Sequence, residues 1–134
     1  MESREIVRAF WQEVFNGQNP DAVDRFVVDD VVIVAGGREI SGKEGVKNWV
    51  REFLDKVKDL HVDPIEEFQN KDGSRVTSRW LLEGTNNGLF DTTSDGQPIA
   101  MTGSAVWEVR EDGKLVRCWI ETASWEQYRR LIGY

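Results

Sequence analysis

An α+β fold, three N-terminal helices packed on a mostly antiparallel sheet, is what the sequence predicts. Three observations carry this prediction. Apolar residues recur at helical spacing in the N-terminal part of the chain, long β-branched or alternating runs separated by turn signals fill the rest, and the two kinds of segment are grouped rather than alternated. Grouped amphipathic helices can each bury a stripe against one face of an antiparallel sheet.

Taken in order, Ile6, Val7, Phe10, Trp11, Val14 and Phe15 trace one helical stripe between Ser3 and Phe15, and Asn16-Gly17 supplies a stop. Asn19-Pro20-Asp21 reads as a cap with proline at the first helical position, and Ala22, Val23, Phe26 and Val27 give the second, short helix its buried side. Val31 to Val34 is β-branched and predicts a strand that Gly36-Gly37 ends. Ser41 and Glu44 have capping-box spacing, and Val46, Trp49, Val50, Phe53, Leu54 and Val57 follow as an amphipathic helix. Strands are predicted from His61 to Phe68, Arg75 to Gly84, Ile99 to Val109 and Leu115 to Glu121. Asp112-Gly113 turns the last pair into a hairpin, and Ser124 with Gln127 could cap a short closing helix.

The 134 residues, 40% hydrophobic and 31% charged without a composition break, predict one domain over 1–134. A formal charge of -7 repels phosphate backbones, so nucleic acid is not an expected partner. Cys118 is the only cysteine, which excludes an internal disulfide and a multi-thiolate metal site. Its place in a strand predicts a buried, inert thiol. No run approaches membrane-spanning length, and Met1 to Ile6 lacks the apolar segment of a signal peptide, so the default expectation is a cytoplasmic protein without membrane contact. Neither a glycine-rich dinucleotide loop nor a phosphate loop is present, and no cofactor or metal is expected.

The segment Phe26-Val27-Val28-Asp29-Asp30-Val31, the phrase from Arg79 to Gly88, the Asp95-Gly96-Gln97-Pro98-Ile99 turn and the run Asp112-Gly113-Lys114-Leu115-Val116 with Trp119 resemble the nuclear transport factor two-like superfamily, in particular its SnoaL-like (polyketide cyclase-like) branch. The resemblance implies a cone open near the concave face of the sheet, commonly in a homodimer. It implies several activities, because the superfamily holds cyclases, isomerases, hydrolases and proteins that only bind. Steroid isomerase-like members place a tyrosine at Phe10, a general-base aspartate near Ala35 and an acid near Ala105, and none of these polar groups is present here. Epoxide hydrolase-like members match Arg79, with partner acids falling at Leu81 and Ala123; SnoaL-like cyclases carry a histidine at Asn86 and acids at Arg117 and Ala123.

Strand alternation puts Thr77, Arg79, Leu81 and Glu83 on one face, which the epoxide hydrolase resemblance turns inward, and Arg117, Trp119 and Glu121 on a second inward face. The candidate catalytic pair is then Glu121 as proton-transfer group and Arg79 as stabiliser of developing negative charge. The alternative is a salt bridge that orders the final strand. Candidate substrate contacts are Phe10, Leu81, Asn86, Trp107, Arg117, Trp119 and the lone histidine, His61. Six tryptophans can line a site for a flat hydrophobic ligand or fill a core. The expected function is a cofactor-independent cyclase or isomerase of a hydrophobic, oxygenated small molecule of polyketide, steroid or terpenoid type. A non-catalytic binding protein for such a ligand and a structural dimerisation domain are the alternatives.

Overall fold

The protein is described here by a computed structural model, in which residues 1–133 are placed. Helix α1 (Ser3–Phe10) runs without a break into a π-helical turn (Trp11–Asn16), and a 3₁₀ turn at Pro20–Ala22 leads into the short helix α2 (Val23–Phe26). After strands β1 (Val27–Ala35) and β2 (Arg38–Ser41) comes α3 (Lys43–Lys56), followed by β3 (Val57–Gln69), β4 (Arg75–Asn86), β5 (Pro98–Val109), β6 (Leu115–Thr122) and the closing helix α4 (Ser124–Leu131). The strands form one curved, unclosed sheet in the order β2-β1-β6-β5-β4-β3, antiparallel throughout except where β1 meets β6. The helices cover one face of it, as the grouping of elements predicts.

The core lies between α1, α2 and the inner face of the sheet. Phe10 and Trp107, both with no exposed surface, meet with ring centroids 5.0 Å apart at 66°, and Trp11 joins them at 5.4 and 5.8 Å. Such edge-on aromatic contacts add about 0.5–1.5 kcal/mol to the area they bury. Cys118 is fully buried in this layer, and burial pushes its thiol well above the ordinary value, as an inert core cysteine requires.

Several local expectations are corrected. The strand read from Val31 begins at Val27, so Val27 belongs to the sheet; Val57, assigned to the third helix, opens β3. The capping box at Ser41 and Glu44 does not form, because Ser41 is taken up as the last residue of β2, paired with Val32. The helix starts instead from Gly42 at φ 81. Strand β2 itself was not foreseen. Asn16 does more than end a helix: its Nδ2 donates to Val62 O at 2.9 Å and its Oδ1 accepts from Val62 N at 2.6 Å. One side chain thus acts as a strand residue toward the edge of β3 and fixes the π turn on the sheet. Gln127 does not cap α4 but is buried, its Oε1 accepting Ala100 N at 2.7 Å.

Candidate functional site

A small cavity of about 40 Å³ lies between the first helical segment, α3 and the inner face of the sheet. The π turn contributes Trp11 and Phe15, and α3 contributes Trp49 and Phe53, four residues apart on one face. Val62, Trp80, Leu82, Ile120 and Thr122 come from the sheet. A wide π turn presents residues at an altered spacing, which brings both Trp11 and Phe15 to the cavity side. Among the described residues no polar atom faces the space. The indole nitrogens of Trp11 and Trp80 are buried without a hydrogen-bond partner, among the described residues. Trp49, Phe53 and Thr122 are only half-buried and form the rim.

Beyond that rim, across the same Trp49 and Phe53, runs an open groove of about 300 Å³ that carries Arg38, Glu52, Lys56 and Asp91. Its far wall is the turn Leu89–Asp91, where Phe90 and Asp91 both hold left-handed backbone angles, φ 57 and 58. Bulky residues are rarely found there, and each such conformation costs about 1–3 kcal/mol and persists only where its surroundings enforce it.

Asn86 provides the enforcement. Its Nδ2 reaches Thr92 Oγ1, Thr93 O and Asp95 Oδ1 at 3.3, 2.9 and 3.0 Å, while its Oδ1 accepts Leu89 N at 2.9 Å. The residue is 2% exposed, and the hydrogen bonds from Asn86 and Gln97 hold the Asp95 carboxyl below its ordinary range. With its polar atoms committed to the loop, Asn86 is a loop anchor and not the ligand contact expected of it. Asn86→Ala is expected to lower stability by about 2–4 kcal/mol, since it removes these bonds and strands the Leu89 N–H. A urea denaturation midpoint measures the loss.

The remaining residues singled out from the sequence lie elsewhere. Arg79 and Glu121 are both exposed on the outer face of the sheet, and register places Ser104 between them, so they stand two strands, roughly 10 Å, apart. Arg79 pairs with Glu66 at 2.9 Å. The inward assignment of this face is therefore corrected: Val76, Ser78, Trp80 and Leu82 face the core, and Thr77, Arg79, Leu81 and Glu83 face out. Arg117 and Trp119 share the outer face, the guanidinium carbon 5.8 Å from the ring, with Glu39 at 3.9 Å from Arg117. His61 is exposed and sits 2.8 Å from Asp63. Phe10 and Trp107 are core, behind the cavity wall. None of these eight residues lines the cavity, nor does Asn86, and the ring set that does is visible in the sequence only as an excess of tryptophan. Among the described residues no cluster of histidine, cysteine and carboxylates is placed to hold a metal, and no helix is long and apolar enough to cross a membrane.

Residues 7–118 match the SnoaL-like domain family. No curated protein matches the sequence. Among solved structures, a protein provisionally called a SnoaL-like polyketide cyclase from Jannaschia sp. superposes with a TM-score of 0.88 at 12% identity, covering 98% of this chain and 92% of its own. One provisionally called a polyketide cyclase from Acidithiobacillus ferrooxidans gives 0.84 at 24% identity, covering 98% and 95%. A ketosteroid isomerase-like fold from Catenulispora acidiphila, solved with trimethylamine, gives 0.74 at 20% identity, covering 87% and 84%. At these identities the likeness shows the fold.

Proposed function

This chain belongs to the SnoaL-like domain family, and on that premise we propose that it binds a compact, hydrophobic, oxygen-bearing small molecule through the cavity and the groove beside it. The observation that carries this reading is the carbon-walled space ringed by five aromatic side chains, with a half-buried rim that leads to a polar groove. An apolar space of this kind adds nothing to stability, since filling it with protein would add packing. It is also too small for a whole ligand of typical size, about 300–1,000 Å³, so the molecule must continue outward past Trp49 and Phe53. Trimethylamine, which the Catenulispora relative holds, has the compactness that the inner space admits.

The family is of the cyclase and isomerase type, and relatives assigned as polyketide cyclases favour turnover as a second reading. Among the described residues no carboxylate, histidine or arginine lines the inner cavity, so rearrangement there would rest on confinement and folding of the substrate. Glu121 and Arg79 stand outside such a mechanism.

Tryptophan emission tests the binding reading directly, because Trp11, Trp49 and Trp80 form the wall. Titration with cyclic ketones and terpenoid alcohols is expected to shift emission saturably, and Ile120→Trp, which fills the space, to abolish the shift while leaving far-UV dichroism unchanged. Native mass spectrometry should find a retained ligand, and product analysis after incubation separates binding from turnover. No retained ligand, together with an emission unmoved by every probe, would defeat the reading.

A second copy of the chain is the partner we propose for the outer face of the sheet. Register aligns Phe68, Thr77, Val106, Trp119 and Val34 in one row across five strands, with Phe68 55%, Val106 38% and Trp119 37% exposed. Charged rows flank it: Arg75, Glu108 and Arg117 on one side, Glu66, Arg79 and Glu121 on the other. Both rows carry both signs, so two copies related by a two-fold axis can match them. Sedimentation is expected to give a dimer, and Trp119→Glu a monomer with the same fold; a monomeric parent chain would exclude the pairing.

A further inference from the structure

The rings around the cavity and the charge of the molecule narrow the class of ligand. Trp80, Trp11, Phe15, Trp49 and Phe53 follow one another around the space with successive centroids 5.4, 5.4, 5.8 and 6.4 Å apart and planes inclined at 53°, 39°, 81° and 49°. The rings turn around the space instead of stacking flat. An aromatic face carries negative potential, which attracts a cation and repels an anion. We infer that the cavity receives a quaternary ammonium group, the N-methylated end of a small molecule whose oxygenated remainder lies in the groove. This rests on the proposed ligand-binding role of the cavity and specifies what is bound.

Each alternative head group meets a defined obstacle. A primary ammonium brings three N–H donors, and no polar atom faces the cavity to accept them, so its desolvation goes uncompensated. A carboxylate or phosphate meets five aromatic rings, whose faces repel negative charge, and no donor. A trimethylammonium group has no N–H to satisfy, and its methyl groups spread the charge over a surface that packs against rings as hydrocarbon does. The inner space, about 40 Å³, holds on the order of three water-sized groups and admits a compact head group only. A neutral tert-butyl group of the same shape gains the burial without the electrostatic attraction.

The wider field acts in the same direction. A net charge of -7 raises the concentration of small cations near the surface and lowers that of anions. At the groove, Glu52 and Asp91 offer carboxylates to the approaching cation, whereas Arg38 and Lys56 offer donors to a hydroxyl or ester oxygen trailing behind it. Among the described residues these four side chains form no ion pair with one another or with any neighbour, although Glu52 and Lys56 have the helical spacing for one.

Choline and its carbon isostere 3,3-dimethylbutan-1-ol differ in the charged nitrogen and share their shape, so the pair isolates the cation–ring contribution. With the full chain, titrated by tryptophan emission and calorimetry, choline is expected to bind about tenfold tighter than the alcohol. Trp49→Leu, at the half-buried rim, is expected to weaken choline severalfold and the alcohol much less. Biosynthetic replacement of tryptophan by 5-fluorotryptophan, which thins the negative face without changing shape appreciably, provides the same comparison should the Trp49 variant fail to fold. Equal or tighter binding of the alcohol overturns the ammonium assignment while the hydrophobic-ligand reading stands. Binding of cyclic ketones with neither choline nor the alcohol also overturns it alone, and silence toward every probe overturns both.

Discussion

Trp107→Ala is expected to destabilise the protein by about 3–5 kcal/mol, the cost of deleting a large buried ring whose surroundings cannot fully collapse. Trp107 has no exposed surface and is held between Phe10 and Trp11, the residues that attach the first helical segment to β5. A loss of that size is a large share of the roughly 5–15 kcal/mol that a domain has in total. Among the described residues its indole nitrogen has no hydrogen-bond partner, so the loss is one of packing. Trp107→Phe, which keeps an aromatic ring and discards only that nitrogen and part of the volume, should then cost far less. Urea midpoints of the two variants check this; similar losses in both would mean that the N–H is satisfied after all.

Gly103→Ala is expected to cost about 3 kcal/mol and to damage the cavity in the same stroke. A methyl group on Gly103 would lie 2.2 Å from Trp80 Cη2 and 2.4 Å from Cζ3, far inside contact distance. Gly103 is paired with Trp80 across β4 and β5, and the indole lies over its backbone, so the ring must move or the strands must part. Insertions into packed cores cost about 1–3 kcal/mol when neighbours can adjust, and a buried indole flanked by Trp11 adjusts poorly. Because Trp80 is also cavity wall, ligand affinity should fall together with stability. Thermal unfolding and a ligand titration on one preparation test the coupling; a destabilised variant with intact affinity would show that Trp80 keeps its place and the strands yield.

Helices and strands were legible where one periodicity dominates. The stripes of α1 and α3, the alternation of β4 and the Asp112-Gly113 turn, where Gly113 N donates to Arg110 O at 2.8 Å, all follow from local pattern. The SnoaL-like resemblance was legible too, and the family match agrees with it. Strand β2 was not: Arg-Glu-Ile-Ser has one apolar residue to bury, Ile40, and exists by pairing with β1. The π turn at Trp11–Asn16 was equally hidden, since its wider spacing still reads as one helical stripe.

The candidate site failed at a different step. Alternation correctly put Thr77, Arg79, Leu81 and Glu83 on one face and Val76, Ser78, Trp80 and Leu82 on the other, but resemblance to a catalytic arginine decided which of them turned inward. Hydropathy alone points the other way, because burying Trp80 and Leu82 is favourable whereas burying Arg79 and Glu83 is costly. With that choice the wall of the cavity would have been named from β4, and Ile120 from β6 by the same parity. Asn86 was read as a turn residue with a ligand role; only the folded loop shows how completely its amide is used.

The contact of β1 with β6 has a consequence for how the chain comes to be folded. Val32 and Val34 find their parallel neighbours in Arg117 and Trp119, 85 residues further along the chain. During synthesis the early hairpin must therefore wait for α3, β3, β4, β5 and β6 to emerge before its open edge is covered. Long-range pairing of this kind slows folding and leaves a sticky intermediate. A nascent chain halted before Leu115 would hold two unjoined half-sheets, and it is at that stage, more than in the finished molecule, that chaperones would be needed.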